Sequence, residues 1–189
     1  MITGILLAAG SAKRFGTQKL LERLPNGQAI GLASAQALLP AVDNMIVVVK
    51  PEDKALQELF DRENITTVIC ERASLGISES IKVGINTAPQ ANGWLIALGD
   101  MPFIQTETIS TLVELMARGH GIVHPSYQQK RGHPVGFSQD YAEELILLQG
   151  DKGAKDILLR HPSAIKVFHC EDRGIVQDID THKQLASYQ

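Results

Sequence analysis

A repeated change of hydrophobic period along the first half constrains the fold of this chain more than any other feature. Residues 5–9, 45–49, 67–70 and 94–98 form short apolar runs with no polar face. Runs this brief suit strands covered on both sides, as in a mostly parallel sheet. The segments between them have helical spacing: residues 31–39; residues 52–62, entered through Pro51 at a first-turn position; residues 77–88, with Ile77, Ile81, Gly84, Ile85 and Ala88 on one face; and residues 106–118. Strands alternating with helices through right-handed crossovers predict an α/β fold, a doubly wound, mostly parallel sheet with helices on both faces. Such sheets bind ligands at the carboxyl ends of their strands, so function is expected just after strands.

The second half is less regular. Residues 121–124 and 135–137 read as strands around a polar turn, followed by helical residues 141–148 and 151–159. This half is expected to extend the sheet and to build the pocket of a second substrate. The 189 residues, set against roughly 150 per domain, predict one domain over 1–189, its halves meeting near residue 105.

Composition removes several classes of function. A net charge of −3 and an aromatic content of 5% offer no positive field and no stacking platform, so no nucleic acid partner is expected, and any phosphate must be held locally. No apolar run approaches the ~20 residues of a membrane helix. Residues 1–10 carry no basic residue ahead of the apolar run, unlike a secretory signal, and a cytoplasmic location with no membrane partner is expected. Cys70 and Cys170 stand alone, so neither a zinc site nor a redox pair is expected and both are read as buried thiols. No Gly-x-Ser-x-Gly elbow occurs, and neither His120 nor His124 belongs to a His-Glu-x-x-His pattern, which leaves hydrolase and zinc-protease chemistry without residues.

The first strand runs into Leu7, Ala8, Ala9, Gly10 and Ser11, followed by Arg14 and Lys19. Small residues let successive backbone N–H groups turn toward an anion, and Arg14 and Lys19 add mobile positive charge, so the loop reads as a phosphate cradle. A small-residue turn with two solvated cations is the alternative. The loop is neither a Walker P-loop nor a dinucleotide Gly-x-Gly-x-x-Gly turn. The second signal is Leu98-Gly99-Asp100-Met101-Pro102-Phe103, where a carboxylate follows an apolar strand. Placed there, Asp100 suits either a Mg²⁺ ligand on triphosphate oxygens or a turn cap.

The string Leu7-Ala8-Ala9-Gly10-x-x-x-Arg14-x-Gly16-x-x-Lys19 resembles the signature loop of the molybdopterin-type nucleotidyltransferases, and Gly99-Asp100-Met101-Pro102 resembles their metal-site turn. The resemblance implies transfer of a nucleotide to the phosphate of the molybdenum cofactor on a doubly wound fold. It implies catalytic roles for Arg14, Lys19 and Asp100, with Leu7 through Ser11, Arg14 and Lys19 on the nucleotide. Gly76-Ile77-Ser78-Glu79-Ser80-Ile81 resembles the family's Gly-Met-Ser-x-Ser-Leu segment, which adds Ser78 and Ser80 to the nucleotide site, with plain helix caps as the other reading. Gly132-His133-Pro134 resembles its acceptor-facing turn, with a purely structural histidine in a turn as the other reading. Asp178-Ile179-Asp180-Thr181-His182 resembles its closing Asp-x-Asp-Thr-Pro, with His182 in place of Pro, and Asp180 is either a second metal ligand or a cap on the last helix. Mg²⁺, or Mn²⁺ in its place, is the implied cofactor. Ala8-Ala9-Gly10 favours CTP over GTP as nucleotide, because guanylyl members read Ala-Gly-Gly. The other readings are guanylyl transfer to the same acceptor, cytidylyl transfer to a polyol or sugar phosphate, and a non-catalytic carrier that hands the cofactor to a recipient molybdoenzyme.

Overall fold

The computed structural model describes residues 1–10 and 18–187. Strand β1 (Ile2–Leu7) shows why the early runs are apolar throughout: Leu6 points into one hydrophobic cluster, while Ile5 and Leu7 point into another on the opposite face. β1 lies between two parallel neighbours, β2 (Asn44–Val49) on one side and β4 (Gly93–Leu98) on the other, and β3 (Thr67–Ile69) pairs in parallel outside β2. The remaining strands are β5 (Ile122–Tyr127), β6 (Lys130–Arg131), β7 (Val135–Ser138) and β8 (Ile165–His169). β7 inserts antiparallel between β4 and β5, β6 folds back on the end of β5, and β8 pairs in parallel with β5. Among the described residues the result is one mixed sheet of eight strands, ordered β3-β2-β1-β4-β7-β5-β6 with β8 also on β5.

Helices α1 (Ile30–Leu38), α2 (Lys54–Arg62) and α4 (Thr106–Ala117) cover the face that carries Leu6. The opposite face is covered by α3 (Ile77–Thr87), α5 (Ala142–Ile146) and α6 (Lys155–Arg160). α3 comes so close to β1 that a Cβ on Gly84 would sit 2.5 Å from the Ile5 side chain, which is why a glycine interrupts its apolar stripe. α7 (His182–Ala186) packs Leu185 against Leu24 and Ile30. The fold is therefore the doubly wound, mostly parallel sheet with helices on both faces. Among the described residues, no helix is long and apolar enough to cross a membrane.

Three details differ from the sequence reading. Pro51 lies in a turn ahead of α2, which starts at Lys54, because the Lys50 carbonyl accepts the Asp53 amide first. β8 lies in a stretch to which the sequence reading assigned no element; Lys166 and His169 are exposed and its other residues only half-buried, so it carries no continuous apolar run. Cys70 is buried, but Cys170 is only half-buried, since it follows β8 at the margin of the sheet. Burial still pushes its thiol pKa up.

Candidate active site

The carboxyl ends of β1 and β4 and the start of antiparallel β7 lie side by side, and most of the singled-out residues fall along that edge. The Gly99 amide donates to the Leu7 carbonyl at 3.0 Å and the Ala8 amide to Val48 at 2.8 Å, so the β1 turn leaves the sheet in register with both neighbours. Ala8 and Ala9 are buried, one in each apolar cluster, and Gly10 is exposed. Ser11 and Arg14 lie outside the described residues. From α1, the Ser34 hydroxyl donates to the Gly99 carbonyl at 2.9 Å and fixes the turn that carries Asp100.

Lys19 opens a single 3₁₀ turn, and its ammonium joins the two distant carboxylates. Lys19 Nζ donates to Asp100 Oδ2 at 2.7 Å and to Asp180 Oδ1 at 3.0 Å. Asp180 arrives because the Ile179 amide donates to the Asp100 carbonyl at 3.0 Å. Thr181, not Asp180, caps α7 with its side chain, which leaves the Asp180 carboxylate for Lys19. Upstream, buried Asp172 accepts from the Gln105 amide and from the Gly174 amide, each at 2.9 Å, and so stitches this returning segment to the residues after β4.

The electrostatics of the cluster follow from its charges. Burial pulls the Lys19 pKa down, but the hydrogen bonds and charges of Asp100 and Asp180 outweigh it and raise the net value. Asp178 is raised by burial and then by the negative charge of Asp180 and Asp100, with Lys19 opposing. Two carboxylate oxygens from Asp100 and Asp180 thus converge on one cationic atom. That donor set fits Mg²⁺ or Mn²⁺, which take one or two protein carboxylates together with substrate phosphates. Among the described residues no three His, Cys, Asp or Glu side chains form an all-protein metal cage.

On the β7 side, the Gly132 amide donates to Pro125 and the His133 amide to Ile175, both at 2.9 Å. A Cβ on Gly132 would lie 2.6 Å from Ile175, so only glycine allows this approach. His133 and Pro134 are joined by a cis peptide. The His133 side chain lines a pocket of about 210 Å³ whose walls include Leu7, Ile77 and Leu98. Its Nδ1 is buried without a hydrogen-bond partner among the described residues. Burial, aided by the positive charge of Arg131 and opposed by Asp100, lowers the His133 pKa to about 4. The ring is neutral at pH 7.

Ser78 and Ser80 are buried in the first turn of α3, so neither caps it. The cap comes instead from residues 150–151: the Ile77 amide donates to Asp151 Oδ1 at 3.1 Å and the Ser78 amide to the Gly150 carbonyl at 3.2 Å. The Ser78 hydroxyl has no hydrogen-bond partner among the described residues. Sequence reasoning missed Ser34, Asp151 and Asp172, each of which positions part of the site from far along the chain. The Gly150-Asp151-Lys152-Gly153 turn signal was the one local hint of Asp151.

The family model described as MobA-like NTP transferase domain matches residues 4–165. The purine catabolism protein PucB of Bacillus subtilis is 28% identical over 97% of this chain and 93% of its own length. The nicotine blue oxidoreductase of Paenarthrobacter nicotinovorans is 24% identical over 97% and 94%. A probable molybdenum cofactor guanylyltransferase of Thermococcus sibiricus is 25% identical over 87% and 84%. Among solved structures, Rv0371c of Mycobacterium tuberculosis in complex with manganese superposes with a TM-score of 0.80 at 25% identity, covering 99% of this chain and 97% of that one.

Proposed function

The chain belongs to the MobA-like NTP transferase domain family and is a nucleotidyltransferase, and from that premise we propose that it transfers CMP from CTP to the terminal phosphate of the molybdenum cofactor, releasing pyrophosphate. The observation that carries the chemistry is the convergence of Asp100 and Asp180 on the Lys19 ammonium. The acceptor is supported by the relative named as a probable molybdenum cofactor guanylyltransferase, and the nucleotide by the Ala8-Ala9-Gly10 turn.

A phosphate oxygen of the acceptor attacks the α-phosphorus of the nucleotide in line as the bond to the bridging oxygen breaks and pyrophosphate departs. The attacking phosphate is already ionised at neutral pH, so no general base is needed, and alignment with positive charge accounts for the catalysis. The backbone N–H groups of the Gly10 turn and the Arg14 guanidinium hold the triphosphate. Lys19 donates to oxygens whose negative charge grows in the transition state. Asp100 and Asp180 hold the divalent cation, Mg²⁺ or Mn²⁺, which when bound neutralises phosphate oxygens. Ser78 and Ser80 support the nucleotide side, and the Gly132-His133-Pro134 turn faces the acceptor.

Pyrophosphate release with molybdenum cofactor and Mg²⁺, compared across CTP, GTP and ATP, tests this reading. CTP-dependent release that disappears in Asp100→Ala, with the variant still folded, is the expected result. GTP preferred over CTP in competition reverses the choice of nucleotide. Nucleotide binding without release from any triphosphate refutes the molybdenum cofactor as acceptor and leaves another phosphate acceptor or the carrier.

A further inference from the structure

Asp53 is a carboxylate that its own helix does not use. It stands at the N-cap of α2, where an aspartate side chain ordinarily accepts from an amide of the first turn, yet it makes no capping bond. The Leu56 and Gln57 amides donate to its backbone carbonyl instead, at 3.1 and 3.0 Å. The carboxylate is turned toward Gln18, whose Nε2 donates to Asp53 Oδ1 at 3.1 Å, and Lys50 Nζ lies 3.8 Å from Oδ2. Asp53 is buried, and burial pushes its pKa up, with Lys50 and Gln18 opposing and Glu52 adding to the rise. A buried carboxylate that forgoes capping its helix needs another reason for its place. Gln18, which it holds, immediately precedes Lys19.

The 3₁₀ turn that carries Lys19 is anchored downstream by packing and backbone bonds. The Leu21 amide donates to the Gln18 carbonyl at 2.9 Å and the Glu22 amide to the Lys19 carbonyl at 3.1 Å, which closes the turn. Leu20 fills the gap between α1 and the turn ahead of Asp100: a Cβ on Gly31 would lie 3.1 Å from its Cβ, and one on Gly99 3.2 Å from its Cδ1. The Ile30 amide donates to the Glu22 carbonyl at 2.9 Å. Upstream, the bond from Gln18 to Asp53 ties the same turn to the segment that follows β2, the strand beside β1. The ammonium itself ends a flexible four-carbon stem, so it goes where its backbone and its partners aim it. In the resting site those partners are Asp100 and Asp180. Once these carboxylates turn to a divalent cation, the anchors on either side of Lys19 are what still aim it.

We infer that Asp53 is a positioning residue for the transfer: through Gln18 it fixes the upstream end of the Lys19 turn and so aims the ammonium at the phosphate oxygens. The inference rests on the nucleotidyl-transfer reading and extends it to a carboxylate outside the signature strings. Asp53 acts on the chemistry only through Gln18 and Lys19, and Lys50 balances its charge without being part of the tether.

Two measurements on the full chain test the tether: pyrophosphate release from CTP with molybdenum cofactor and Mg²⁺, and hydrogen exchange at the Leu21 and Glu22 amides. Asp53→Ala and Gln18→Met are each expected to lower kcat by about ten- to a hundredfold, the cost of a misaimed group, with KM for CTP within about twofold of wild type. Both should also speed exchange at the two amides. Asp53→Asn keeps an acceptor oxygen for Gln18 while giving up the charge opposite Lys50, and should recover most of the loss. In a Lys19→Met background, Asp53→Ala should cost less than about twofold more, because the group it aims is gone. Loss in Asp53→Ala with none in Gln18→Met overturns the inference, and Gln18, being exposed, also decides it where Asp53→Ala does not fold. A raised KM at unchanged kcat overturns it by giving the pair to nucleotide binding, and an undiminished loss in the Lys19→Met background overturns it by separating Asp53 from Lys19. A wild type without turnover defeats the transfer reading alone; amide exchange then still decides the tether, which falls if Gln18→Met and wild type exchange alike.

Discussion

Lys19→Met deletes the ammonium at the charge centre while keeping most of the aliphatic length, so its effects can be worked from the geometry. The ammonium lies 2.7 Å from Asp100 and 3.0 Å from Asp180, and the side-chain exposures are 12% for Lys19, 24% for Asp100 and 36% for Asp180. Hydrogen bonds to charged groups contribute about 1.5–3 kcal/mol when well shielded. Here both carboxylates remain in contact with water, which can replace much of each bond, so a net loss of about 1–2 kcal/mol for the pair is expected. For a chain of this size that corresponds to a fall in Tm of about 2–8 °C. The Lys19 pKa is raised, so its contribution is fully present below the unfolded value of 10.5 and is lost as pH climbs through the higher folded value. The gap between variant and wild type should therefore hold through neutral pH and narrow only above 10.5. Turnover should fall on the order of 10²–10³, the cost of one preorganised donor to the transition state. Calorimetry with and without Mn²⁺ adds a readout independent of turnover: without the ammonium between the two carboxylates, Mn²⁺ should raise the Tm of the variant more than that of wild type. Wild-type Tm together with near wild-type turnover would refute the charge centre as drawn.

Other perturbations test the parts that position this centre. His133 stays neutral in the folded chain down to about pH 4 but takes up a proton near 6.5 when unfolded, so stability falls as pH drops from 6.5 toward 4. The cost reaches about 1–3 kcal/mol, and His133→Gln should lose less Tm than wild type between neutral and mildly acidic pH; equal losses would sink the argument. Asp172→Ala leaves the Gln105 and Gly174 amides without their carboxylate and should destabilise by about 2–5 kcal/mol, with Asp172→Asn recovering part of it in chemical denaturation. Gly76 sits at φ +121°, and a Cβ there would lie 2.5 Å from the Gly150 carbonyl, so Gly76→Ala should cost about 1–3 kcal/mol. Faster proteolysis around residues 150–153 would report the loosened contact.

How much could be read in advance depended on how local each signal was. β1, β2 and β4 are covered on both faces, so their residues are apolar without interruption, and the runs are visible in a few letters. β8 is only half-buried, with Lys166 and His169 exposed, and leaves no such trace. Gly10, Lys19 and Asp100 stand within short strings of small, charged and turn-forming residues, and their chemistry could be argued from the strings alone. Asp180 allowed two readings, and the contact that separates them comes from Lys19, far away in the chain. The ties of Asp172 to Gln105 and of Asp151 to Ile77 leave no local trace for the same reason: those amides lie 67 and 74 positions away, and a lone aspartate looks alike wherever it occurs. The position of Pro51 was misjudged because a turn and a helix start share the same preference for proline.

The insertion of β7 beside β4 makes the sheet a ruler for the reaction. The Gly10 turn leaves β1, Asp100 follows β4, and His133 precedes β7, whose reversed direction brings its beginning to the same edge. Neighbouring strands stand about 4.8 Å apart, so the places that the proposed reading gives to triphosphate, cation and acceptor are spaced in steps that backbone hydrogen bonds fix. A side chain can be exchanged without altering that spacing, whereas changing it requires breaking the ladder between β1, β4 and β7. Acceptors of different shape can therefore be accommodated by altering residues beyond β7, while the distance from nucleotide to acceptor stays at the value the strands set.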